Sequence, residues 1–385
     1  MRIAQITFRY AAPGGVENEV AEMARRLPPL GDRVTVYAGD LYDEGQWVRH
    51  TTFPPTVDGT AVQWFPVRKR LIPGLTLPLM LGLMSALDSD APDLIHAHSH
   101  RYGHVLESAT VSRERGIPLV VTLHYHPAHV DASPWVKGLH RVQDHFFGMT
   151  AYHVADAVIV QTQQELRIVS QFVSPHRLVV IPPGINYESW TSPEAVPLPP
   201  ELPARYLLFA GRVAPNKGLP FLIAALGKIP ASRRIPLVIM GRDWGEAPAL
   251  KEQARRVGIE SEVRLLGEIK DQTLYRSIMR RAAAFVLPSQ WEAFGIVLVE
   301  AMACSVPVIG SSVGGMPEVL DHGRAGLLVP YGDEAALAGA IEETLANPAD
   351  AQKRIEVGRV QAKRFTWQHA AEQHHALYER LGRAA

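Results

Sequence analysis

Short, almost uninterrupted apolar runs recur along the chain, separated by stretches whose apolar residues return every three or four positions. The runs predict strands near Ile3–Phe8, Val34–Ala38, Ala61–Val67, Asp93–His98, Leu119–His124, Ala157–Gln161 and Leu178–Ile181. The intervening patterns predict helices, among them Val16–Leu27 and Gln163–Phe172. Continuous apolar runs mean strands covered on both faces, and their alternation with helices means a doubly wound parallel sheet. After Pro182-Pro183 the pattern breaks, with five prolines between residues 193 and 203. Proline there excludes a strand or helix interior, so residues 185–204 read as a stiff interdomain linker. The alternation then restarts, with strands near Tyr206–Ala210, Leu237–Met240, Val263–Leu266, Ala283–Leu287, Val306–Ile309 and Gly326–Val329. The expected plan is one α/β domain over 1–184 and a second over 205–365.

Residues 68–87 depart from this rhythm. Arg68, Lys69 and Arg70 precede LIPGLTLPLMLGLMSAL, whose prolines and glycines argue against a membrane span. The stretch predicts a buried helix entered through a basic loop. Its functional alternative is a surface that touches anionic lipid headgroups or an anionic acceptor.

Composition narrows the class. At 47% hydrophobic and 20% charged residues, the chain reads as soluble and globular, and its length supports more than one core. Acidic and basic residues balance at 39 each, which gives no electrostatic footprint for nucleic acid. The single cysteine, Cys304, has no intrachain partner and falls in an apolar helix, so burial is expected rather than reactivity. The chain opens directly on a strand-like run, without the pattern of a signal peptide. The expected location is the cytoplasm, at most peripheral at the inner face of a membrane.

The chemistry collects around Ala282–Gly310, AAAFVLPSQWEAFGIVLVEAMACSVPVIG, which reads as strand, loop, helix (Ile296–Ala303) and strand. Glu300 is the polar exception among Val297, Leu298, Val299, Ala301 and Met302. A carboxylate there is costly unless it meets a donor, a cation or a ligand. Glu292 sits in the loop at the strand's carboxyl end, where open α/β sheets bind ligands, and Gly295 lets backbone amides approach an anion. Arg212 and Lys217, in GRVAPNKG after another strand, are natural counter-charges for a diphosphate. Gly14-Gly15 open the first helix after the first strand. Each of these features also has a plain reading, as an internally paired acid, a solvated loop or a simple turn.

Histidines gather in the first domain. His96, His98 and His100 alternate and are expected to share one face, and His124, His126 and His129 follow the next strand. Imidazoles suit zinc, but no cysteine or acidic residue completes an obvious ligand set, so no metal is expected.

Taken in order, GGVE at 14–17, VVTLH ending at His124, GRVAPNKG at 211–218, EAFGIVLVE at 292–300 and GGMPE at 314–318 resemble the retaining nucleotide-sugar glycosyltransferases of family 4. The resemblance spans nearly the whole chain, and FTWQHAAEQHHALYERL resembles the family's last helix. It implies the GT-B fold: two doubly wound Rossmann-like domains facing across a cleft, with the C-terminal helix crossing back to the first. It implies that Glu300 binds the ribose hydroxyls and Glu292 hydroxyls of the donor sugar. Backbone amides near Phe294, Gly295, Ile296 and Val297 would contact the sugar and distal phosphate. Arg212 and Lys217 would neutralise the departing diphosphate, Gly15 would let the first domain close on the phosphate, and His124 would hydrogen-bond the transferred sugar. The base would lie against the loops after Met240 and Gly267. Asn186, in PPGIN, departs from the family, which often has Asp there.

The implied reaction moves a hexose from a UDP- or GDP-linked donor to an acceptor hydroxyl with retention, with no cofactor required. No residue stands out as a double-displacement nucleophile, so the resemblance favours front-face attack. The acceptor is a sugar, a lipid-linked species or another small molecule, with weak membrane contact through Arg68, Lys69 and Arg70 and no nucleic-acid partner. The alternatives are a nucleotide-sugar epimerase or a sucrose-type synthase on the same scaffold, and, from another class, a zinc hydrolase built on the histidines.

Overall fold

The computed structural model describes residues 1–12, 14–43, 47–68, 71–72, 75–76, 79–127, 133–194 and 196–383. They form two compact units, Met1–Pro183 with Trp367–Ala385, and Gly184–Thr366.

The first unit is built on seven parallel strands: β1 (Arg2–Arg9), β2 (Arg33–Asp43), β3 (Thr60–Phe65), β4 (Leu94–His98), β5 (Leu119–Thr122), β6 (Ala157–Val160) and β7 (Leu178–Val180). Their order across the sheet is β7-β6-β5-β4-β1-β2-β3, and short antiparallel pieces, Thr56–Val57 and Val48–Arg49, attach to β3 and β2. Every residue of β4, β5 and β6 is buried, which explains why these strands read as unbroken apolar runs. The second unit carries β8 (Leu207–Ala210), β9 (Leu237–Met240), β10 (Val263–Gly267), β11 (Ala284–Leu287), β12 (Val308–Ser311) and β13 (Leu327–Val329). Its order is β10-β9-β8-β11-β12-β13, all parallel. The order reverses between β8 and β11, the place at the strands' carboxyl ends where open α/β sheets bind ligands.

The proline-rich stretch after residue 183 is not freestanding. Ile185 and Trp190 are buried in the core of the second unit, with Leu198 and Leu202 packed against it. Asn186 caps the short helix Tyr187–Thr191, its Oδ1 accepting from the Ser189 amide, which an aspartate could do equally well. Ile185 also pairs with Thr366, so the outgoing and returning chain run side by side.

Residues 68–87 correct the sequence expectation of a helix. Val67–Arg68 pairs antiparallel with Leu79–Met80, Leu71–Ile72 pairs with Leu75–Thr76, and the helix starts only at Leu83. Prolines in the sequence at 73 and 78 remove the amide donors a helix needs. Lys69, Arg70, Leu77 and His129 lie outside the described residues. Among those described, no helix is long and apolar enough to cross a membrane.

The helix Trp367–Gly382 belongs to the first unit. Trp367, Ala370, Ala371, Leu377 and Tyr378 pack with Ile3, Val20 and Met23 in one apolar cluster. Its polar anchor is buried. The Gln5 Nε2 amide donates to the Tyr378 hydroxyl (3.2 Å), which donates to His96 Nδ1 (2.6 Å), and His96 Nε2–H donates to Thr122 Oγ1 (2.8 Å). Tyr378→Phe should leave Gln5 and His96 without that partner, at a cost of about 1–3 kcal/mol. A lower urea midpoint with unchanged slope is the expected result, and an unchanged midpoint would show that the network does not hold the helix.

Candidate active site

In the second unit the chemistry sits where the strand order reverses. The loop after β8 carries Arg212 and Lys217, and the loop after β11 carries Glu292. Gly218, at φ 68°, lies so close to the second loop that a Cβ would fall 1.9 Å from the Pro288 carbonyl oxygen. The Gln290 amide donates to the Asn216 carbonyl across the same gap (2.9 Å). This approach brings Lys217 Nζ to 2.6 Å from Glu292 Oε1, which also accepts from Ser289 Oγ at 2.7 Å. Lys217 and Glu292 side chains are only 12% and 13% exposed, so the pair is held in a shielded place rather than in bulk solvent. The GGMPE loop after β12 completes the support, the Gly315 amide donating to the Glu292 carbonyl (2.9 Å).

Arg212 does not join that pair. It is exposed, and its guanidinium lies 4.6 Å from the ring centre of Trp244, in the loop after β9. Backbone bonds stitch these loops together, Val213 N to Arg242 O and Trp244 N to Val213 O. Trp244 is 45% exposed, and nothing in its local sequence marks it as a site residue.

Gly295, at φ 90°, is the N-cap of the helix Ile296–Ala303. The first-turn amides of Ile296 and Val297 lack intrahelical partners and are suited to an anion. Phe294 is buried, its ring edge-on to Phe365 at 5.1 Å. Glu300 lies one turn further along and partly buried, and it meets no cation or hydrogen-bond donor among the described residues. Burial pushes its carboxyl up to about 8. The anomaly seen in the sequence is therefore real in the fold: the acid is not internally paired. Cys304 is partly buried, its thiol pushed up to about 12 by burial, as expected for an unreactive side chain. A cavity of about 660 Å³ lined by Trp190, Arg280, Arg281, Cys304 and Arg359 lies near the opposite, amino ends of β11 and β12 and is separate from this site.

In the first unit, Gly15 begins the helix Gly15–Arg26 with open space where a Cβ would be. The Glu17 of GGVE pairs with Arg9 (2.5 Å). His124 follows β5 at φ 48°, and burial first, then the imidazoles of His126 and His374, push it down to about 3. The alternating histidines hold only in part. The His96 and His98 rings lie side by side with centres 4.1 Å apart and planes tilted by 35°, whereas His100 turns to Asp144 (2.8 Å) and Tyr152. The acid that sequence spacing did not supply arrives through the fold. Glu19, on the first helix, joins His98 and His124 with one ligand-type atom from each within 4.8 Å of the others. Gln161, whose local sequence carries no signal of a site role, bridges Glu19 and His124.

Comparison with known proteins finds family models over both units. The family model described as glycosyl transferases group 1 matches residues 196–361, and that described as glycosyltransferase family 4 matches residues 13–189. The chain is 29% identical to alpha-maltose-1-phosphate synthase of Mycolicibacterium smegmatis, over 99% of its length and 100% of the relative's. It is 30% identical to glycogen synthase of Mycobacterium tuberculosis, over 73% of its length and 67% of the relative's. Among solved structures, Anabaena HepE in complex with UDP-glucose superposes with a TM-score of 0.73 at 23% identity, over 97% of this chain and 98% of that one.

The electrostatics of Glu300 make a test that needs no substrate. Its pKa is raised from 4.5 to about 8 in the fold, so the folded protein holds a proton that the unfolded chain has released between those values. The stability linked to Glu300 is complete below about 4.5 and is lost as pH rises through about 8. Glu300→Gln, which cannot ionise, should match the wild-type Tm at the acid end and exceed it by a few degrees above pH 8. A Tm difference that does not grow with pH would place Glu300 in a hydrated setting.

Proposed function

The chain belongs to the group 1 glycosyltransferases, enzymes of GT-B fold, and on that premise we propose that it transfers a hexose from a nucleoside-diphosphate sugar, UDP- or GDP-linked, to an acceptor hydroxyl with retention at the anomeric carbon. One observation carries the reading: an unpaired, partly buried Glu300 in the same unit as a shielded Lys217–Glu292 pair, which sits where the strand order reverses. Glu300 has acceptor oxygens and no protein donor, which suits the paired hydroxyls of a ribose. Binding those hydroxyls favours its ionised form.

Breaking the anomeric bond places negative charge on the diphosphate and positive character on the sugar. Lys217 and the first amides of the Ile296–Ala303 helix are the donors for the diphosphate, joined by Arg212 once it turns from Trp244. Glu292, released in part from Lys217 as phosphate oxygens replace it, accepts from hydroxyls of the sugar. The cations and amides supply the counter-charge from the chain itself, and front-face departure lets the leaving phosphate take the acceptor's proton. His124 is assigned to a hydroxyl of the transferred sugar. The UDP-glucose in the Anabaena relative supports a nucleotide-sugar donor. The name of the maltose-1-phosphate synthase relative supports a small sugar-type acceptor over a lipid-linked one.

A thermal-shift screen of UDP- and GDP-sugars tests the donor. A ligand at a hundred times its Kd stabilises by about 2.7 kcal/mol, and one nucleotide class should raise Tm by several degrees. With that donor, Lys217→Ala should lower kcat by about a hundredfold or more, the loss typical of one donor to developing charge. Proton NMR of the product should show the donor's anomeric configuration. An inverted product would end the retaining reading, and no shift with any nucleotide sugar would end the donor reading.

A further inference from the structure

We propose that Gln161 is a positioning residue for His124, holding its imidazole as the tautomer protonated on Nε2 so that the site presents a hydrogen-bond donor there. The ligand atom facing it is then an acceptor. Its identity as a hydroxyl or ring oxygen of the transferred sugar rests on the glycosyltransferase reading, whereas the tautomer does not.

The backbone comes first. A left-handed conformation at a residue with a β-carbon, such as His124, costs about 1–3 kcal/mol and persists only when its surroundings enforce it. Here Glu165 does so. Its two carboxylate oxygens accept from the Tyr125 amide (2.9 Å) and the Gln161 amide (2.6 Å), gripping the ends of β5 and β6 together. Glu165 is itself fixed at the start of the helix Gln163–Val169, where Thr162 Oγ1 accepts from its amide (3.1 Å).

The same grip aims the Gln161 side chain. Its Nε2 lies 3.0 Å from His124 Nδ1 and 3.2 Å from Glu19 Oε2. An amide nitrogen carries two hydrogens and accepts nothing, so both contacts are donations. His124 Nδ1 must then accept, and a neutral ring whose Nδ1 accepts carries its proton on Nε2. The reversed amide would demand both the proton on His124 Nδ1 and a proton on Glu19, whose carboxyl burial pushes up to about 8, donated to the amide oxygen; the spectrum below separates the two arrangements. Nε2 is enclosed and meets no partner among the described residues. A buried donor left unmet costs about 1–3 kcal/mol, a cost removed when a ligand oxygen accepts from it.

This tautomer also decides what the neighbouring acid does. Glu19, His98 and His124 have the composition and spacing of a divalent-cation set. A cation needs a free imidazole lone pair, yet in His124 one nitrogen is occupied by Gln161 and the other bears the proton. Glu19 therefore acts as the second acceptor that orients the Gln161 amide, rather than as a metal ligand.

The experiment is long-range proton–nitrogen correlation on protein labelled with 15N-histidine, His124 being assigned by its loss in His124→Asn. Wild-type protein should show a pyridine-like Nδ1 and a pyrrole-like Nε2, unchanged by one equivalent of zinc. Gln161→Glu, whose carboxylate only accepts, should reverse the two. Gln161→Met, close in shape and without a donor, covers the case in which an added buried acid prevents folding. Circular dichroism and Tm serve as the folding control for both. In Gln161→Met, kcat should fall by about tenfold, as expected for one hydrogen bond made in the transition state, with nucleoside-diphosphate affinity within about twofold of wild type. A pyridine-like Nε2 in wild type, displacement of that resonance by zinc, or wild-type kcat in Gln161→Met would each overturn the proposal. If no nucleotide sugar is turned over by wild-type protein, the functional reading fails and the spectrum alone decides the tautomer.

Discussion

Lys217 and Glu292 stand 75 residues apart in the chain and 2.6 Å apart in the fold. Much of the candidate site in the second unit depends on that meeting. It requires β8 and β11 to be neighbours at the reversal of strand order, and it requires a glycine at 218 so that one loop can lie on the carbonyl of the other. Without a ligand the two side chains neutralise each other. A shielded lysine and a shielded carboxylate are thereby kept in place without an isolated buried charge, whose cost would be several kcal/mol. Glu300 completes the arrangement in the opposite way. It is left without a protein partner, and its proton takes the place of one until a ligand arrives.

The first unit treats polar groups differently. Gln5, Tyr378, His96 and Thr122 form a buried chain of donors and acceptors that ties the final helix to β1, β4 and β5. Burial holds His96 and His98 neutral, well below the ordinary imidazole range, so the wall is uncharged and its tautomers are fixed by neighbours. His124 stands at the edge of that wall with one nitrogen committed and one unmet.

Much of this was legible in the sequence, for physical reasons. Strands buried on both faces must be apolar throughout, so AVIV at 157–160 and AFVL at 284–287 announce themselves. A lone acid in IVLVEAMA is visible against such a background. Between residues 67 and 80 the apolar content predicts a helix, whereas the described residues pair as short extended pieces, in keeping with prolines that remove amide donors. Glu19, Gln161 and Trp244 were not legible as site residues. Each has an ordinary local context, and each gains its meaning from a partner brought near only by the fold, such as Arg212 against the Trp244 ring. The GGMPE motif was legible as a marker, and its physical role, the Gly315 amide holding the Glu292 carbonyl, needed the three-dimensional loops.

The central claim is that the unpaired Glu300 reads the ribose of a nucleotide held at this site. Calorimetry on UDP and GDP, each against its 2′,3′-dideoxy counterpart, tests it most directly. A hydroxyl donating to a charged acceptor is worth roughly 1.5–3 kcal/mol, so loss of even one such bond should make the dideoxy form of the preferred nucleotide bind at least about tenfold more weakly. In Glu300→Gln that difference should largely vanish. Equal affinity of the wild-type protein for the ribose and dideoxy forms, or a preference that survives in Glu300→Gln, would contradict the account.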